Sequence, residues 1–365
     1  MSSYWQQISD EWRAAAKQLA AWTMKFMVNR TDVWGRYLPK KYRKKIGPSG
    51  DMNNAVTAPF RDERGKVLLQ VSSLEKHYKT NSFGGVLGLH SISSDHSSRW
   101  LGIDVDLHDE DNLSVTPEGN FVAAHGWWQE LVKQGLDPLL LDSNGAGGFH
   151  LLVVFAEAMD TRSVHQFGHQ LVSDYSLRGL DVAPEIFPGA IRAKHYGNWL
   201  RLPGRHHSRQ HYTRVWNDEP LGEDKWLEGY HAIERILRMR PAPAEALEPL
   251  GIIRRRPTVC VDFDGVIHSY RSGWQGETVI ADPPIHRCDD AIARLRKGHR
   301  VVIHSARCAT QAGRDAIWEW LAKHGIEVDD VCEHKPPAKI YLDDRGIQFS
   351  GDWDQAIADI YAFRR

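Results

Sequence analysis

The chain has 365 residues, of which 42% are apolar and 25% charged, and its formal net charge at pH 7 is −1. This length and composition indicate a globular protein of two or three domains. The longest apolar run, Leu151 to Ala156, is far too short to span a bilayer, which excludes an integral membrane protein. The four cysteines lie in the last third of the chain without CxxC pairs or zinc spacing, so we expect reduced thiols in a cytoplasmic protein.

The N-terminal segment, residues 1–45, is basic and rich in aromatic side chains. It carries ten Lys or Arg residues, five of them within 40–45, against three acids. Positive charge interleaved with rings suits a polyanion that has stackable bases. A solvated helix with an apolar stripe explains the same pattern without a ligand, and both interpretations stay open. The rings belong to Trp5, Trp12, Trp22, Trp34 and Tyr37.

Residues 100–187 predict the element order β-α-β-β-α-β. A glycine turn, SNGAGG, joins the second and third strands. A unit of this kind folds into an antiparallel sheet with the spatial order 4-1-3-2 and with both helices on one face. The strands are predicted at 100–106, 138–142, 149–156 and 181–187, and the helices at about 117–134 and 161–178.

The first predicted strand, WLGIDVDLHDED, ends in acidic residues. Strand alternation places Asp104 and Asp106 on one face. His150 opens the third strand and Asp181 the fourth, with Glu185 on the same face as Asp181, so we expect these side chains to gather on the open, helix-free face. Neighbouring carboxylates repel unless a cation lies between them, and phosphoryl-transfer sites hold divalent cations with two or three carboxylates. The third acid is either Glu185 or Asp181.

Four segments of this region resemble, in order, the motifs of the archaeo-eukaryotic primase superfamily, the primase-polymerases. They are LGIDVDLHD, SNGAGGFHLLVVF, EIFP and GNWLRLPGRHH, and NRTDVWGRYL is similar to the primase domain of TOTE conflict systems. The resemblance spans about residues 25–216. It implies an RRM-like βαββαβ core with primase or DNA polymerase (nucleotidyltransferase) activity. The implied cofactors are Mg²⁺ or Mn²⁺, and the implied partners are nucleoside triphosphates and a DNA or RNA template or primer.

The same resemblance assigns roles to individual residues. It makes Asp104 and Asp106 the catalytic metal ligands and Glu185 the third acid, with Asp181 still open. The chain contains no GxxxxGK[ST] motif, so we expect unwinding to depend on a separate helicase. The residues assigned to nucleotide binding are Ser143, His150, Arg201 and His207.

A Pro- and Ala-rich stretch at 241–257 predicts a linker between a domain at 1–240 and a domain at 258–365. After it, three predicted strands end in DFDGV, VVIHSAR and KIYLDDR, with helices between them. Alternating strands and helices predict a parallel sheet, whose polar residues meet at the carboxyl ends of the strands.

Residues 258–362 are similar to the haloacid dehalogenase (HAD) superfamily. The resemblance implies a capless Rossmann-like domain with Mg²⁺-dependent aspartyl-phosphate phosphatase activity. In it, Asp262 is the nucleophile, Asp264 protonates the leaving oxygen and Ser305 binds the phosphate. Lys335 balances the charge, and is preferred to Lys339 because Lys339 enters the strand itself. The candidate metal ligands are Asp262, Asp264, Asp343 and Asp344, and the candidate substrate contacts are Arg307 and Arg345.

Together the two resemblances predict a bifunctional enzyme of DNA replication or repair, in which the phosphatase processes polynucleotide ends. The alternative is an active phosphatase that carries a non-catalytic, nucleic-acid-binding primase-like module. A third interpretation is an enzyme that makes or dephosphorylates a small nucleotide signal.

Overall fold

The structure is a computed structural model that divides into two compact units, Met1–Arg255 and Arg256–Arg365. Both are mixed α/β. No helix in the described part of the chain is long and apolar enough to cross a membrane. The structure describes residues 3–37, 45–46, 51–52, 55–58, 60–62, 65–81, 85–106, 116–191, 196–221 and 224–363.

The elements of the first unit are numbered here in chain order. Its helices are α1 (Ser3–Phe26), α2 (Val71–Lys79), α3 (Pro117–Lys133), α4 (Thr161–Leu171), α5 (Gly229–Arg238) and α6 (Ala244–Leu247). Its strands are β1 (Trp34–Tyr37), β2 (Lys45–Ile46), β3 (Asp51–Met52), β4 (Ala55–Ala58), β5 (Phe60–Asp62), β6 (Gly65–Val67), β7 (Leu87–His90), β8 (Ser97–Val105), β9 (Leu139–Asp142), β10 (Phe149–Asp160), β11 (Glu185–Phe187), β12 (Trp199–Arg201), β13 (Arg214–Leu221) and β14 (Asp224–Leu227).

The main sheet of this unit has the order β11-β8-β10-β9-β13-β14, and its neighbouring strands are antiparallel. Its first four strands lie in the 4-1-3-2 order predicted for the βαββαβ segment. One face packs against α3 and α4 through alternate residues of β8, Leu101, Ile103 and Val105. The Thr116 hydroxyl accepts a hydrogen bond from the amide of Gly119, which fixes the start of α3 where it was predicted.

The opposite face of the sheet is not open, contrary to the expectation from the sequence. Trp100 of β8 and Leu152 of β10 are buried in a second core together with Trp12 and Leu19 of α1. The Trp100 indole N–H also donates to the backbone oxygen of Met27 at 2.8 Å. These strands carry apolar residues on both faces, so both faces are packed against other elements. The acids Asp104 and Asp106 lie at the end of β8, beyond this packed region.

A smaller sheet, with the order β12-β7-β1-β4, stands beside this core. Strand pairing and alternation place Tyr37, Trp199 and Arg201 on one face of it. The Trp199 indole lies flat over two glycines, since an added Cβ would come within 2.0 Å of Trp199 Cδ2 at Gly35 and 2.1 Å of Trp199 Cε3 at Gly88. Both glycines are therefore needed for the indole to pack against this sheet.

Tryptophans of the basic N-terminal segment are core residues. Trp12, Trp22 and Trp34 are buried, which removes their faces as stacking surfaces for bases. The basic residues Lys40, Lys41, Arg43 and Lys44, on which the polyanion interpretation also depends, lie outside the described residues.

The stretch predicted as a linker is packed into the first unit. Ala242 forms a bridge with Phe155, and Ala244, Leu247 and Ile252 are buried in the core on the α3 and α4 side. Apolar residues between the prolines thus anchor the segment to β10, and the boundary between the units falls at Arg255.

The second unit contains a fully parallel sheet with the order β17-β16-β15-β18. Residues 262–287, all of them described, follow β15 as turns and isolated bridges without a helix or strand, so they hold no cap domain. The elements are β15 (Thr258–Val261), α7 (Cys288–Arg296), β16 (Arg300–Ile303), α8 (Gln311–Lys323), β17 (Asp330–Val331), β18 (Ile340–Leu342) and α9 (Trp353–Ala362).

Candidate active sites

A row of three polar side chains crosses the main sheet of the first unit. Asp104 on β8 is paired with His150 on β10 and with Glu185 on β11. Residues paired across antiparallel strands lie on the same face of the sheet. Asp106 follows just beyond the end of β8. Asp181 lies in an exposed bend before β11 begins, so the structure brings Glu185 rather than Asp181 next to Asp104.

The electrostatics of this row are dominated by Asp104. Burial raises its pKa to about 8, and the charges of Asp106 and Glu185 add to the rise. Its Oδ1 atom is buried without a hydrogen bond and lies 3.5 Å from His150 Nε2. Burial, together with the charge of Arg201, holds the pKa of His150 well below its ordinary value, so the histidine is neutral and does not compensate the acids.

These groups fit a divalent cation. A buried carboxylate oxygen without a hydrogen bond, beside two further carboxylates, offers the hard oxygen ligands that Mg²⁺ and Mn²⁺ prefer. In the part of the chain that the structure describes, however, the acids of this row do not converge as tightly as those of the second unit.

Arg201 connects the small sheet to this site. Its guanidinium is buried and donates to the backbone oxygen of Ser143. Burial raises the pKa of the nearby Tyr37 hydroxyl, and the charge of Arg201 opposes this rise. The Tyr37 ring stacks on His207 with 3.7 Å between the centroids and 3° between the planes. It meets the Trp199 ring edge-on at 5.4 Å. Two predicted nucleotide-binding residues, Arg201 and His207, are therefore joined through Tyr37, a residue to which the sequence analysis gave no role in the active site.

Ser143, which was predicted to bind the nucleotide, has its hydroxyl bonded within the glycine turn. Its hydroxyl donates to the backbone oxygen of Gly148 at 3.1 Å and closes the glycine turn, while its carbonyl holds Arg201. The side chain is buried and engaged within the protein, so its contribution to the site is to shape the turn.

Two asparagines fix the acids, and neither was singled out from the sequence. Asn144 Nδ2 donates to Asp106 Oδ1 at 3.3 Å, while Asn144 Oδ1 accepts from the amides of Ala146 and Gly148 at 2.8 and 2.9 Å. Asn198 Nδ2 donates to Glu185 Oε1 at 3.0 Å. The available signal was an asparagine beside glycine in SNGAGG and GNW.

The second unit brings three acids together as its sequence predicted. Asp262 follows β15, and Asp343 and Asp344 follow its parallel neighbour β18. One carboxylate oxygen from each lies within 4.8 Å of the others, so the cluster could hold a metal ion. Burial raises the pKa of Asp262 to about 6, and the charges of neighbouring aspartates add to the rise. The strand order reverses between β15 and β18, which is where ligands bind in such sheets.

Asp264 lies outside this cluster, contrary to its prediction as a metal ligand. Its Oδ1 accepts from His268 Nδ1 and its Oδ2 from Arg307 Nε, both at 2.8 Å. The amide of Asp282 donates to His268 Nε2 at 3.1 Å, which places the imidazole proton on Nδ1. Arg307 is fully buried and supports Asp264 through this bond, while its role as a substrate contact stays a prediction.

Two further predicted residues of this site are Ser305 and Lys335. Ser305 is buried just after β16, and its hydroxyl accepts from the amide of Arg307 at 3.3 Å. Burial raises the pKa of the Cys260 thiol to about 11, while the charge of Lys335 lowers it, which places that charge near the end of β15. The amide of Lys339 bonds to Thr258, at the opposite end of β15 from Asp262. The geometry therefore favours Lys335 over Lys339 at this site.

Neither a protein-family model nor a curated protein matches the chain. Among solved structures, the chain is similar to the polymerase domain of Mycobacterium tuberculosis Ligase D in complex with DNA. The sequence identity is 13% and the TM-score is 0.37, and the match covers 68% of this chain and 92% of that chain. At this level of similarity, the assignment of a function depends on the geometry of the two sites.

Proposed function

We propose that the first unit is a metal-dependent nucleotidyltransferase of the primase-polymerase type. The observation that carries this proposal is the row of Asp104, Glu185 and His150, in which a buried carboxylate oxygen has no hydrogen bond and the histidine paired with Asp104 is neutral. Such an arrangement is costly without a cation. Arg201 supports phosphoryl transfer in particular, because its buried positive charge acts on Asp104 and would also attract a phosphate at this site.

Asp104, Asp106 and Glu185 would hold Mg²⁺ or Mn²⁺, which when bound neutralises phosphate charge and activates the attacking hydroxyl. Arg201 Nη1 is buried without a hydrogen bond, so it has a donor left for an oxygen of the nucleotide's phosphates. His150, neutral in this site, is suited to a hydrogen bond to the same phosphates. The Tyr37 stack would hold His207 in place beside Arg201.

The test is extension of a primed template with labelled deoxynucleotides in Mn²⁺, using the full chain. Incorporation is expected to disappear in Asp104→Ala and to persist in Asp262→Ala, whose altered residue lies in the other unit. Template binding without incorporation under any metal would instead favour the non-catalytic module. Turnover that needs no template would favour the small-nucleotide enzyme.

We propose that the second unit is a HAD-type phosphohydrolase with Asp262 as its nucleophile. The cluster of Asp262, Asp343 and Asp344 at the point where the strand order reverses carries this proposal. These residues would hold Mg²⁺, which when bound screens the repulsion between the Asp262 carboxylate and the phosphate. Ser305 and Lys335 would contact the phosphoryl oxygens.

The chemistry has two steps. A carboxylate oxygen of Asp262 attacks phosphorus, the bond to the leaving oxygen breaks, and Asp264 supplies the proton to that oxygen. Water then attacks the phosphorus of the phosphoaspartate and gives a proton to Asp264, the bond between phosphorus and the Asp262 oxygen breaks, and free phosphate and the Asp262 carboxylate result. Each oxygen of Asp264 accepts one hydrogen bond and keeps a second lone pair for this transfer.

Phosphate release from 3′- and 5′-phosphorylated oligonucleotides and from a small phosphate ester tests this activity. Asp262→Asn is expected to abolish release, and Asp343→Asn to raise the Mg²⁺ concentration that gives half-maximal rate. Asp359→Asn, on α9, is the matched control and is expected to change neither. Hydrolysis of the small ester alone would reject a role in processing polynucleotide ends.

The coupling of the two activities is testable on one substrate. A template whose primer ends in a 3′-phosphate is expected to be extended by the full chain, because the phosphatase exposes the hydroxyl that the polymerase needs. Asp262→Asn should leave this primer unextended while it still extends an unblocked primer. Equal extension of both primers by Asp262→Asn would contradict the coupling.

A further inference from the structure

Trp274 is an exposed aromatic side chain beside the second candidate active site. Its side chain is 53% exposed. One face of the indole is covered by Arg307, whose guanidinium carbon lies 4.7 Å from the ring centroid. The same guanidinium donates to Asp264 through Nε. A single guanidinium group therefore separates an exposed aromatic surface from a carboxylate of the catalytic centre.

Hydrogen bonds hold the loop that carries Trp274 on both sides of this residue. Arg307 Nη1 donates to the backbone oxygens of Gly276, Glu277 and Val279 at 2.7, 3.1 and 3.0 Å. On the other side of Trp274, the amide and hydroxyl of Ser272 both donate to the Asp282 carboxylate, at 2.7 and 2.8 Å. An exposed indole on a loop fixed at both sides is preorganised for contact with a ligand.

Two glycines shape the tip of this loop. Gly273 has φ +65° and Gly276 has φ +117°, which are conformations that residues with a side chain rarely adopt. They flank Trp274 and Gln275, both of which are exposed. The backbone thus turns sharply on either side of the indole and presents it at the surface.

We propose that Trp274 is a base-stacking subsite, and that the substrate of the second unit is a nucleotide or a nucleic-acid end whose terminal base packs on the indole. This rests on the phosphohydrolase activity proposed above. A ring backed by a guanidinium is a surface on which nucleobases stack, since every base has a π-face. An exposed cation, Arg345, lies beside the acidic cluster, with its amide donating to Asp343 at 2.8 Å, and suits the phosphodiester backbone that follows the base.

The test compares two oligonucleotides that carry the same terminal phosphate, one with a normal terminal nucleotide and one with an abasic terminal residue. Trp274→Ala is expected to raise KM for the normal substrate by about tenfold, as for loss of one base stack, and to leave KM for the abasic substrate unchanged. Trp274→Phe should retain most of the wild-type KM. Trp318→Ala, which removes another exposed tryptophan of the same unit, should change neither value.

Equal effects of Trp274→Ala on both substrates, or no effect on either, would overturn the subsite. Preferential hydrolysis of a phosphotyrosine peptide, with the same dependence on Trp274, would reassign it to phosphopeptides. Binding of the two oligonucleotides to Asp262→Asn, with and without Trp274→Ala, separates this inference from the proposed activity. If wild type hydrolyses neither oligonucleotide but binding still depends on Trp274 and on the terminal base, the phosphatase proposal fails and the subsite stands.

Discussion

Asp104 and Glu185 are paired directly opposite each other on β8 and β11, so the backbone of the sheet holds two carboxylates side by side. Neither carboxylate is among the salt-bridge partners of a Lys or Arg within the described residues, although Asn198 donates to Glu185. Backbone pairing that brings like charges together is unfavourable in a sheet. Positive charge from a bound cation would relieve this repulsion, which supports the metal site proposed above.

The first prediction concerns the identity of the third acid. Glu185→Gln should reduce nucleotide incorporation by about a hundredfold or more, because it removes one anionic oxygen ligand from the site. Asp181→Asn is the matched control, and it should retain wild-type incorporation because Asp181 lies in the exposed bend before β11. Incorporation should be measured on a primed template over a range of Mn²⁺ concentrations. Loss of activity in Asp181→Asn with full activity in Glu185→Gln would reverse the assignment.

The second prediction is a pH dependence of stability in the presence of a metal chelator. Burial raises the pKa of Asp104 to about 8 from its ordinary value of 3.8, so between these values the folded protein retains a proton that the unfolded chain has lost. Stability attributable to this residue then falls as pH rises from about 4 to about 8, and changes no further above that range. Asp104→Asn removes this penalty.

The measurement is the difference in Tm between Asp104→Asn and wild type from pH 5 to pH 9. The difference should grow in favour of the variant as pH rises, and saturating Mn²⁺ should reduce it because the cation favours the charged wild-type site. A difference that is constant across the range would contradict the raised pKa of Asp104.

Features of the two sites that depend on local sequence pattern could be predicted, whereas contacts between residues far apart in the chain could not. The placement of Asp104 and Asp106 on one face follows from strand alternation. The proximity of Asp262 to Asp343 follows from the rule that parallel strands present their carboxyl ends at the same edge of the sheet. The burial of Trp12 against the acid-bearing face did not follow, since an amphipathic helix does not specify which surface covers its apolar stripe. The contact between Tyr37 and Arg201 joins residues far apart in the chain and has no local signal.

The predicted linker differs from the structure for a related reason. Prolines and alanines at 241–257 are typical of an exposed connection, but a few apolar residues among them were enough to anchor the segment. Asp264 was a candidate metal ligand through the resemblance to the HAD superfamily. Its partners, His268 and Arg307, instead hold it outside the acidic cluster.

The third prediction concerns His77, which connects α2 to the loop after Arg201. The amide of Leu87 donates to its Nδ1 at 3.0 Å, so Nε2 carries the proton and donates to the Pro203 oxygen at 2.9 Å. His77→Ala leaves two backbone groups without partners and should lower the free energy of unfolding by about 2–5 kcal/mol. Denaturant unfolding measures this loss, and His231→Ala, at an exposed position, is the control.

The same histidine predicts a pH effect of the opposite sign to that of Asp104. Burial lowers the pKa of His77 to about 4 from 6.5, so the unfolded chain binds a proton first as pH falls. Stability attributable to His77 should therefore decrease as pH falls from about 6.5 to about 4. His77→Ala should lack this decrease, and an unchanged pH profile in the variant would show that another group is responsible.

The last prediction separates the two contacts of Tyr37. Tyr37→Phe keeps the stack on His207 but removes the hydroxyl that lies near the buried guanidinium of Arg201. Because Arg201 is proposed to hold nucleotide phosphates, KM for the deoxynucleotide should rise by about tenfold, the cost expected for loss of one polar contact to a charged group, with a smaller change in kcat. Tyr37→Ala should lose more, since the stack also disappears. Tyr230→Phe, at an exposed tyrosine of α5, should match wild type. Equal KM values for wild type and Tyr37→Phe would show that the hydroxyl does not position Arg201.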